Sequence, residues 1–129
     1  MSKDARLPRM VHVLIHMAAK DHTLSSEVIA QMLETNPVLV RRMMGGLRDA
    51  GLVQSELGSR GGWRLARALK DITLLDVHEA FQPSSVFTVA LPNPSSHCRV
   101  ERAANEAVKA SLGTADLAFR SALAQRSLA

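Results

Sequence analysis

The chain of 129 residues has very little of several residue types that other protein classes require. Its single cysteine, Cys98, excludes an intrachain disulfide and a four-cysteine zinc site within one chain. Aromatic residues are 3% of the chain and tyrosine is absent, which disfavours a broad β-sheet. No apolar run approaches the roughly 18 residues of a membrane span, and the N-terminus lacks a signal-peptide pattern. We therefore expect a cytoplasmic protein that does not enter a membrane.

The motifs of common enzyme classes are missing as well. The sequence contains no Gly-rich phosphate loop, no His-Glu-x-x-His and no Gly-x-Ser-x-Gly. Its apolar content of 47% excludes a disordered chain, and its richness in Ala, Leu, Val and Met favours helices. We therefore expect a compact, mainly helical protein that is not an enzyme.

Positive charge is concentrated in the first half of the chain. Residues 1–70 hold 11 Lys and Arg against 6 Asp and Glu, whereas residues 71–129 hold 5 against 6. Six arginines fall within residues 41–67, where only Asp49 and Glu56 oppose them. A basic patch on one module is typical of a polyanion-binding surface, although a charge run by itself is as often a solvated face.

Two short helices with a tight connection are predicted in this basic region. Ser25 is a suitable N-cap for a helix over Ser26–Leu33, and Asn36 with Pro37 is a strong start for a helix that runs to Ala50. Gly51 fits the position just after that helix. Leu39, Val40, Met43, Met44 and Leu47 form the apolar stripe of the second helix, and its arginines fall mostly on the other side.

A β-hairpin is predicted directly after the helix pair. Leu52–Leu57 and Trp63–Ala66 are the candidate strands, and the glycine-rich segment 58–62 is the tip. We expect Trp63 to anchor the hairpin on the core. A helix pair followed by a basic hairpin is the pattern of a winged helix-turn-helix, in which one helix enters the DNA major groove.

The flanking segments complete the predicted architecture. Helices are expected over 7–20, from about Thr73 to Phe81, and from Arg99 to Leu112; Gly113 would end the last of these and Thr114 would cap a final helix. Apolar residues expected to face inward include Leu7, Met10, Val11, Leu14, Ile15 and Ala18 in the first helix and Val28, Ile29, Met32 and Leu33 in the second.

Three segments follow from this pattern. They are a winged helix-turn-helix domain over 1–81, an irregular connection over 82–97 that is rich in Pro and Ser, and dimerisation and C-terminal helices over 98–129. The fold class is therefore mainly α with a small β-hairpin. Small Ala and Val side chains let two helices approach closely, so we expect the long helix to pair with its twin in a homodimer.

Gly45 and Gly46 are a local inconsistency in the second helix of the pair. Each glycine in a helix interior costs about 0.5–1 kcal/mol relative to alanine. Close packing against another helix, or no requirement at all, are the simplest interpretations. Nothing in the sequence supports a close approach to a ligand at this point.

The sequence resembles the Rrf2 family of bacterial winged-helix transcription regulators over nearly its whole length. The matching segments are 9–18 in the first helix, Asn36-Pro37 with Val-Leu-Val-Arg-Arg, 47–53 (Leu-Arg-Asp-Ala-Gly-Leu-Val), 61–67 (Gly-Gly-Trp-Arg-Leu-Ala-Arg) and 72–77. The resemblance implies a homodimer on a pseudo-palindromic double-stranded DNA operator. It also implies that the helix over 37–50 enters the major groove and the wing enters the minor groove.

The chain departs from the family at the cysteines. Many members carry three cysteines in the loop before the dimer helix, where they hold an iron–sulfur cluster, whereas this loop has only Cys98. We therefore expect no cofactor and no metal. His12 stands where some relatives supply a ligand, and it is spaced i, i+4 from His16. Cys98 is an ordinary residue at a helix start, a reactive thiol favoured by Arg99 and Arg102, or the remnant of a lost cluster site.

We therefore predict a sequence-specific DNA-binding transcriptional regulator that acts as a dimeric repressor. The candidate DNA-contacting residues are Ser26, Asn36, Val38, Leu39, Arg41, Arg42, Ser59, Arg60 and Gly61. The alternatives are a winged helix that binds another protein, and a regulator that responds to redox state, a metal or an unknown small molecule through Cys98 and His12.

Overall fold

A computed structural model describes residues 5–20, 22–57, 61–81 and 97–129. The helices are α1 (Arg6–Ala18), α2 (Ser26–Leu33), α3 (Pro37–Asp49), α4 (Leu74–Phe81) and α5 (Arg99–Ala124), with a 3-10 turn at Leu69–Asp71. The strands β1 (Val53–Glu56) and β2 (Gly62–Leu65) form an antiparallel hairpin between α3 and the 3-10 turn. The predicted fold class, mainly α with a small hairpin and a long C-terminal helix, is confirmed.

The ends of α2 and α3 are set by the capping residues that the sequence indicated. The Ser25 hydroxyl accepts a hydrogen bond from the backbone N–H of Val28 (3.1 Å). The Asn36 side chain accepts one from the N–H of Leu39 (2.9 Å), and Pro37 is the first residue of α3. Each cap satisfies a backbone donor that the first turn of a helix leaves without a partner.

The turns that follow α2 and α3 both need a left-handed residue. Gly51 has φ 78° after α3, and there the N–H of Leu52 donates to the carbonyl of Leu47 (3.0 Å). After α2 the left-handed residue is Glu34, at φ 55°. This strain could not be predicted from the sequence, because a glycine or asparagine is the usual residue there.

One hydrophobic core joins α1, α2, α3, α4 and the hairpin. Its fully buried large side chains include Met10, Leu14, Ile29, Met44, Leu47, Leu52 and Ile72. The predicted inward faces were partly wrong: Ile15 and Val28 are 43% and 44% exposed and Ala18 is exposed too, while Val13 and Met17 are buried. The apolar stripe of α1 is wider than the surface that α4 and β2 cover, so the packing partners, and not periodicity, select the buried residues.

The hairpin is fastened to the segment before α2. Trp63 pairs with Leu24 through two backbone hydrogen bonds (2.8 and 2.9 Å). The Trp63 indole N–H also donates to the hydroxyl of Ser26 (3.0 Å). Gly62 has φ 151°, and a Cβ at this position would lie 2.6 Å from the Leu24 carbonyl oxygen. The prediction that Trp63 anchors the hairpin is confirmed, and the anchor requires glycine beside it.

The chain end returns to the start of α4. Thr73 and Asp76 cap that helix reciprocally, through hydrogen bonds of 2.9 and 3.1 Å. The N–H of Leu128 donates to the carbonyl of Ile72 (2.9 Å), and the N–H of Leu74 donates to that of Arg126 (2.9 Å). Leu128 is buried in the core, so the last residues belong to the domain.

The predicted break at Gly113 is wrong, because α5 is continuous from Arg99 to Ala124. Glycine keeps its backbone N–H, so it lowers helix propensity without removing a hydrogen bond. Thr114 was expected to cap a new helix, but its hydroxyl donates back to the carbonyl of Ala110 (3.1 Å). A threonine that bonds the preceding turn is compatible with a continuing helix.

The C-terminal part of α5 packs on α4. The Arg120 guanidinium donates to Glu79 (2.8 Å) on α4 and to Asp116 (2.9 Å) in α5 itself. The rings of His78 and Phe119 meet edge to face with centroids 5.9 Å apart.

Among the residues that the structure describes, no helix has the length and apolar character of a membrane span. The predicted connection over 82–97 lies outside the described residues except for His97, so the domain boundaries stay predictions.

Candidate nucleic-acid interface

The exposed face of α3 carries the two arginines that the sequence singled out. Val40, Met43, Met44 and Leu47 are buried on the core side of this helix. Val38, Arg41 and Arg42 lie on the opposite side and are exposed. The spacing of three to four residues places them together on one face of the helix. The structure therefore brings together a surface that is basic and has one apolar residue at its leading end.

The two arginines differ in their surroundings. Arg41 lies 3.6 Å from the carboxylate of Glu27 in the first turn of α2, and both side chains are more than half exposed. A solvated pair of this kind contributes between 0 and about 1 kcal/mol, so Arg41 is readily available to a phosphate or base. Arg42 forms no ion pair with any residue in the described part of the chain.

Three predicted contact residues at the N-terminal end of α3 differ in how much of their side chain is available for contact. Asn36 is exposed, but its side-chain oxygen is occupied by the N–H of Leu39. Leu39 is half-buried and packs against the core. Val38 is 62% exposed, so among the three it presents the most apolar surface to solvent. A methyl group in this place suits apolar contact with a thymine methyl.

Ser26 does not have the open position that a phosphate contact needs. Its side chain is buried, and its hydroxyl accepts the indole N–H of Trp63. The hydroxyl therefore connects α2 to the hairpin, and we leave it out of the proposed DNA contacts. This role could not be predicted from the sequence, because Trp63 is 37 residues away along the chain.

The hairpin beside α3 presents further charge. Ser59 and Arg60, the predicted contacts at its tip, lie outside the described residues. Gly61 is half-buried just before β2. Arg64 is exposed in β2 and donates to Glu56 on the neighbouring strand (2.6 Å). Sequence reasoning counted Arg64 in the basic patch and missed its ion pair with Glu56, which lies diagonally across the hairpin, two residues from the register partner Gln54.

The two predicted effector residues lie on different elements. His12 is exposed on α1, with its ring centroid 4.6 Å from that of His16. Cys98 is exposed and is the N-cap residue of α5. In the described residues no three His, Cys, Asp or Glu side chains are grouped closely enough to hold a metal ion.

Comparison with known proteins connects this geometry to a family. A sequence profile of the Rrf2 family, described as "Iron-dependent Transcriptional regulator", matches residues 4–129. The chain is similar to YwnA of Bacillus subtilis (strain 168), a candidate HTH-type transcriptional regulator, with 33% identity over 97% of this chain and 92% of that protein.

Solved structures share the fold. A candidate DNA-binding protein is similar at a TM-score of 0.77 and 32% identity, with 95% of each chain covered. A candidate transcriptional regulator from Lactobacillus plantarum has a TM-score of 0.82 at 23% identity, over 96% of this chain and 85% of that one. The identity of the second is low enough that it supports the fold alone.

The iron in the family description does not fit the residues of this chain. A cluster of the usual kind is held chiefly by cysteine thiolates, and this chain has one cysteine. Residues 82–96 contain no His, Cys, Asp or Glu, so they cannot complete a ligand set beside Cys98.

Proposed function

This chain belongs to the Rrf2 family of DNA-binding transcriptional regulators, and we propose that it is a dimeric repressor of a pseudo-palindromic operator. The observation that carries the proposal is the exposed basic face of α3, which lies next to an anchored hairpin. Binding at a promoter would exclude RNA polymerase by occupancy. Such a protein works where the chromosome is, so the proposal includes a cytoplasmic location and no catalytic activity.

In the proposed complex α3 enters the major groove. Arg42 and Arg41 would reach guanine N7 and O6 or the flanking phosphates, and Val38 would meet a thymine methyl group. The hairpin would lie along the neighbouring minor groove, with Arg60 at its tip. Anchoring by Trp63 matters here, because a loosely held hairpin would lose conformational entropy on binding.

The proposed second subunit would be held through α5. Val100 and Leu117 are 79% and 70% exposed on this helix, and most of its alanines are exposed too. A two-fold dimer places two copies of α3 about one DNA turn apart, roughly 34 Å, which explains a pseudo-palindromic operator. Sedimentation tests this part directly: a monomer at micromolar concentration would contradict it.

Fluorescence anisotropy tests DNA binding. The purified protein is titrated with duplex DNA from upstream of its own coding sequence and with a scrambled duplex, at two salt concentrations. We expect a clear preference for the native duplex and a steep loss of affinity as salt rises from about 50 to 200 mM, because each phosphate contact releases counterions.

The Arg42→Ala variant tests whether the exposed face of α3 contacts DNA. Affinity for the native duplex should fall roughly 10- to 100-fold, as expected for the loss of a bidentate base contact. Arg126→Ala, beyond the end of α5, removes the same charge from an exposed residue outside both the proposed DNA face and the proposed dimer helix, and is the matched control. Equal losses for the two variants would mean that net charge, and not the face of α3, determines affinity.

A further inference from the structure

The adjacent glycines of α3 have different surroundings, and only one of them is required by the fold. A Cβ on Gly46 would lie 3.1 Å from the backbone carbonyl oxygen of Ala80 in α4. That is closer than side chains normally pack, and the obstacle is backbone, which cannot rotate away. Gly46 therefore lets α3 and α4 approach each other, as one of the sequence interpretations expected.

Gly45 has no comparable neighbour. The nearest atom to a Cβ placed there, outside the helix's own backbone, is Nη2 of Arg48 at 3.9 Å. That is ordinary contact with the end of a flexible side chain. Gly45 also lies inside α3 without a positive φ, so alanine could adopt its conformation. Among the described residues, neither space nor backbone geometry calls for glycine here, although glycine lowers the stability of a helix interior.

The position of Gly45 indicates what does require it. It follows Arg41 by four residues and Arg42 by three, so it lies on the same face of α3 as both arginines and Val38. Gly45 is the point on that face where no side chain covers the helix backbone. We infer that Gly45 is where duplex DNA comes closest to α3, an inference that rests on the proposed function.

The physical reason is the fit of a helix in the major groove. A helix with its side chains is about 10–12 Å across, close to the roughly 12 Å width of that groove. A side chain in the centre of the face would hold the helix away from the base edges. With glycine there, the arginine side chains on either side can reach the groove floor. Gly45 is therefore a positioning residue that acts through Arg41 and Arg42.

Three glycine-to-alanine variants test the inference. Gly45→Ala is compared with Gly113→Ala, which lies on α5 with nothing within 4 Å of its Cβ, and with Gly46→Ala. Thermal unfolding measures Tm, sedimentation measures the subunit state, and fluorescence anisotropy measures the affinity for DNA. The DNA probes are duplexes that the wild-type protein has selected from a randomised library, together with a scrambled duplex.

We expect Gly45→Ala and Gly113→Ala to raise Tm by similar amounts, and Gly46→Ala to have a lower Tm than either. Gly45→Ala should bind the selected duplex about tenfold more weakly, the size of one lost base contact, while its affinity for the scrambled duplex changes little. Gly113→Ala is the reference for Tm, and where sedimentation shows the wild-type subunit state it should bind both probes as the wild type does.

Two results would overturn the inference while leaving the proposed function intact. One is wild-type affinity of Gly45→Ala for the selected duplex. The other is a Tm for Gly45→Ala well below that of Gly113→Ala, since glycine would then serve the fold. If the wild-type protein selects no sequence and binds every duplex weakly, the proposed function itself fails, and this inference fails with it.

Discussion

The helix pair with its hairpin and the long helix α5 are built on opposite principles. In α3, four of 13 residues are buried, and the surrounding elements share one core. In α5, Leu123 is the buried residue among 26, although the helix is about 39 Å long. The first region is stabilised by burial within its own chain. The second offers a long surface of small side chains, which suits burial against another chain.

The difference shows which parts of the molecule are stabilised within one chain. The region α1 to α4 shares one core, which Leu128 near the end of the chain completes. The ion pairs of Arg120 and the ring contact of Phe119 fix only the C-terminal part of α5 to α4. The rest of α5 has little burial to hold its position, so a second subunit would supply it.

Gly62→Ala should have the largest effect on the first region. The new Cβ would collide with the Leu24 carbonyl, and φ 151° is available almost only to glycine. We expect the free energy of unfolding to fall by about 3 kcal/mol or more, as measured by urea denaturation. Ser55→Ala, an exposed change in β1, is the control and should be nearly neutral. A stable Gly62→Ala protein with an unchanged hairpin would show that the close approach of Gly62 to Leu24 is not needed.

Leu123→Ala and Leu117→Ala apply one chemical change to two sides of α5. Leu123 is 7% exposed and Leu117 is 70% exposed. The buried leucine should cost roughly 2–3 kcal/mol of unfolding free energy, since its removal leaves a cavity. The exposed one should change the stability of a subunit by less than about 0.5 kcal/mol. Urea denaturation at a concentration where the protein is monomeric measures both free energies of unfolding. Equal losses would mean that the two sides of α5 do not differ in burial within a subunit.

Ala107→Glu should act on the second region without affecting the first. A glutamate on this exposed alanine of α5 would place charge within a close helix–helix contact. The dimer dissociation constant should rise at least about tenfold, or roughly 1.4 kcal/mol. Ala107→Ser keeps a small side chain and should dimerise normally. Sedimentation equilibrium distinguishes them, and an unaffected Ala107→Glu dimer would mean that this face of α5 is not the interface.

Glu34→Gly should have the smallest effect, and in the stabilising direction. Glu34 is left-handed at φ 55°, where a residue with a Cβ is strained by about 1–2 kcal/mol. Glycine removes that strain but gains entropy in the unfolded chain, so the net gain should be a few tenths to about 1 kcal/mol. Thermal unfolding measures it. Glu34→Ala, which keeps the Cβ, should not share the gain.

Local chemistry made much of the recognition region predictable. Ser25, Asn36, Pro37 and Gly51 act within three or four residues of their own position, so their spacing in the sequence was sufficient. Gly113 was misjudged by the same reasoning. A glycine ends a helix only when the chain turns left-handed there, and residues further along α5 decide whether it does.

The candidate site was less predictable than the fold. Arg41, Arg42 and Val38 could be placed on one face of α3 from helical spacing alone. The role of the Ser26 hydroxyl could not be predicted in this way, because the hairpin brings its partner Trp63 to it from a distant part of the chain. Ile15 and Val28 look like core residues in the sequence and are exposed, since other elements cover only part of each helix.

By itself, the sequence determined where the recognition helices begin and end, where the hairpin follows, and which arginines α3 presents. Those properties depend on hydrogen bonds and helical spacing within a few residues. Tertiary structure alone decided that Ser26 is buried against Trp63 and that Gly46, but not Gly45, meets the backbone of Ala80. These depend on contacts between residues far apart in the chain, and neither periodicity nor propensity contains that information.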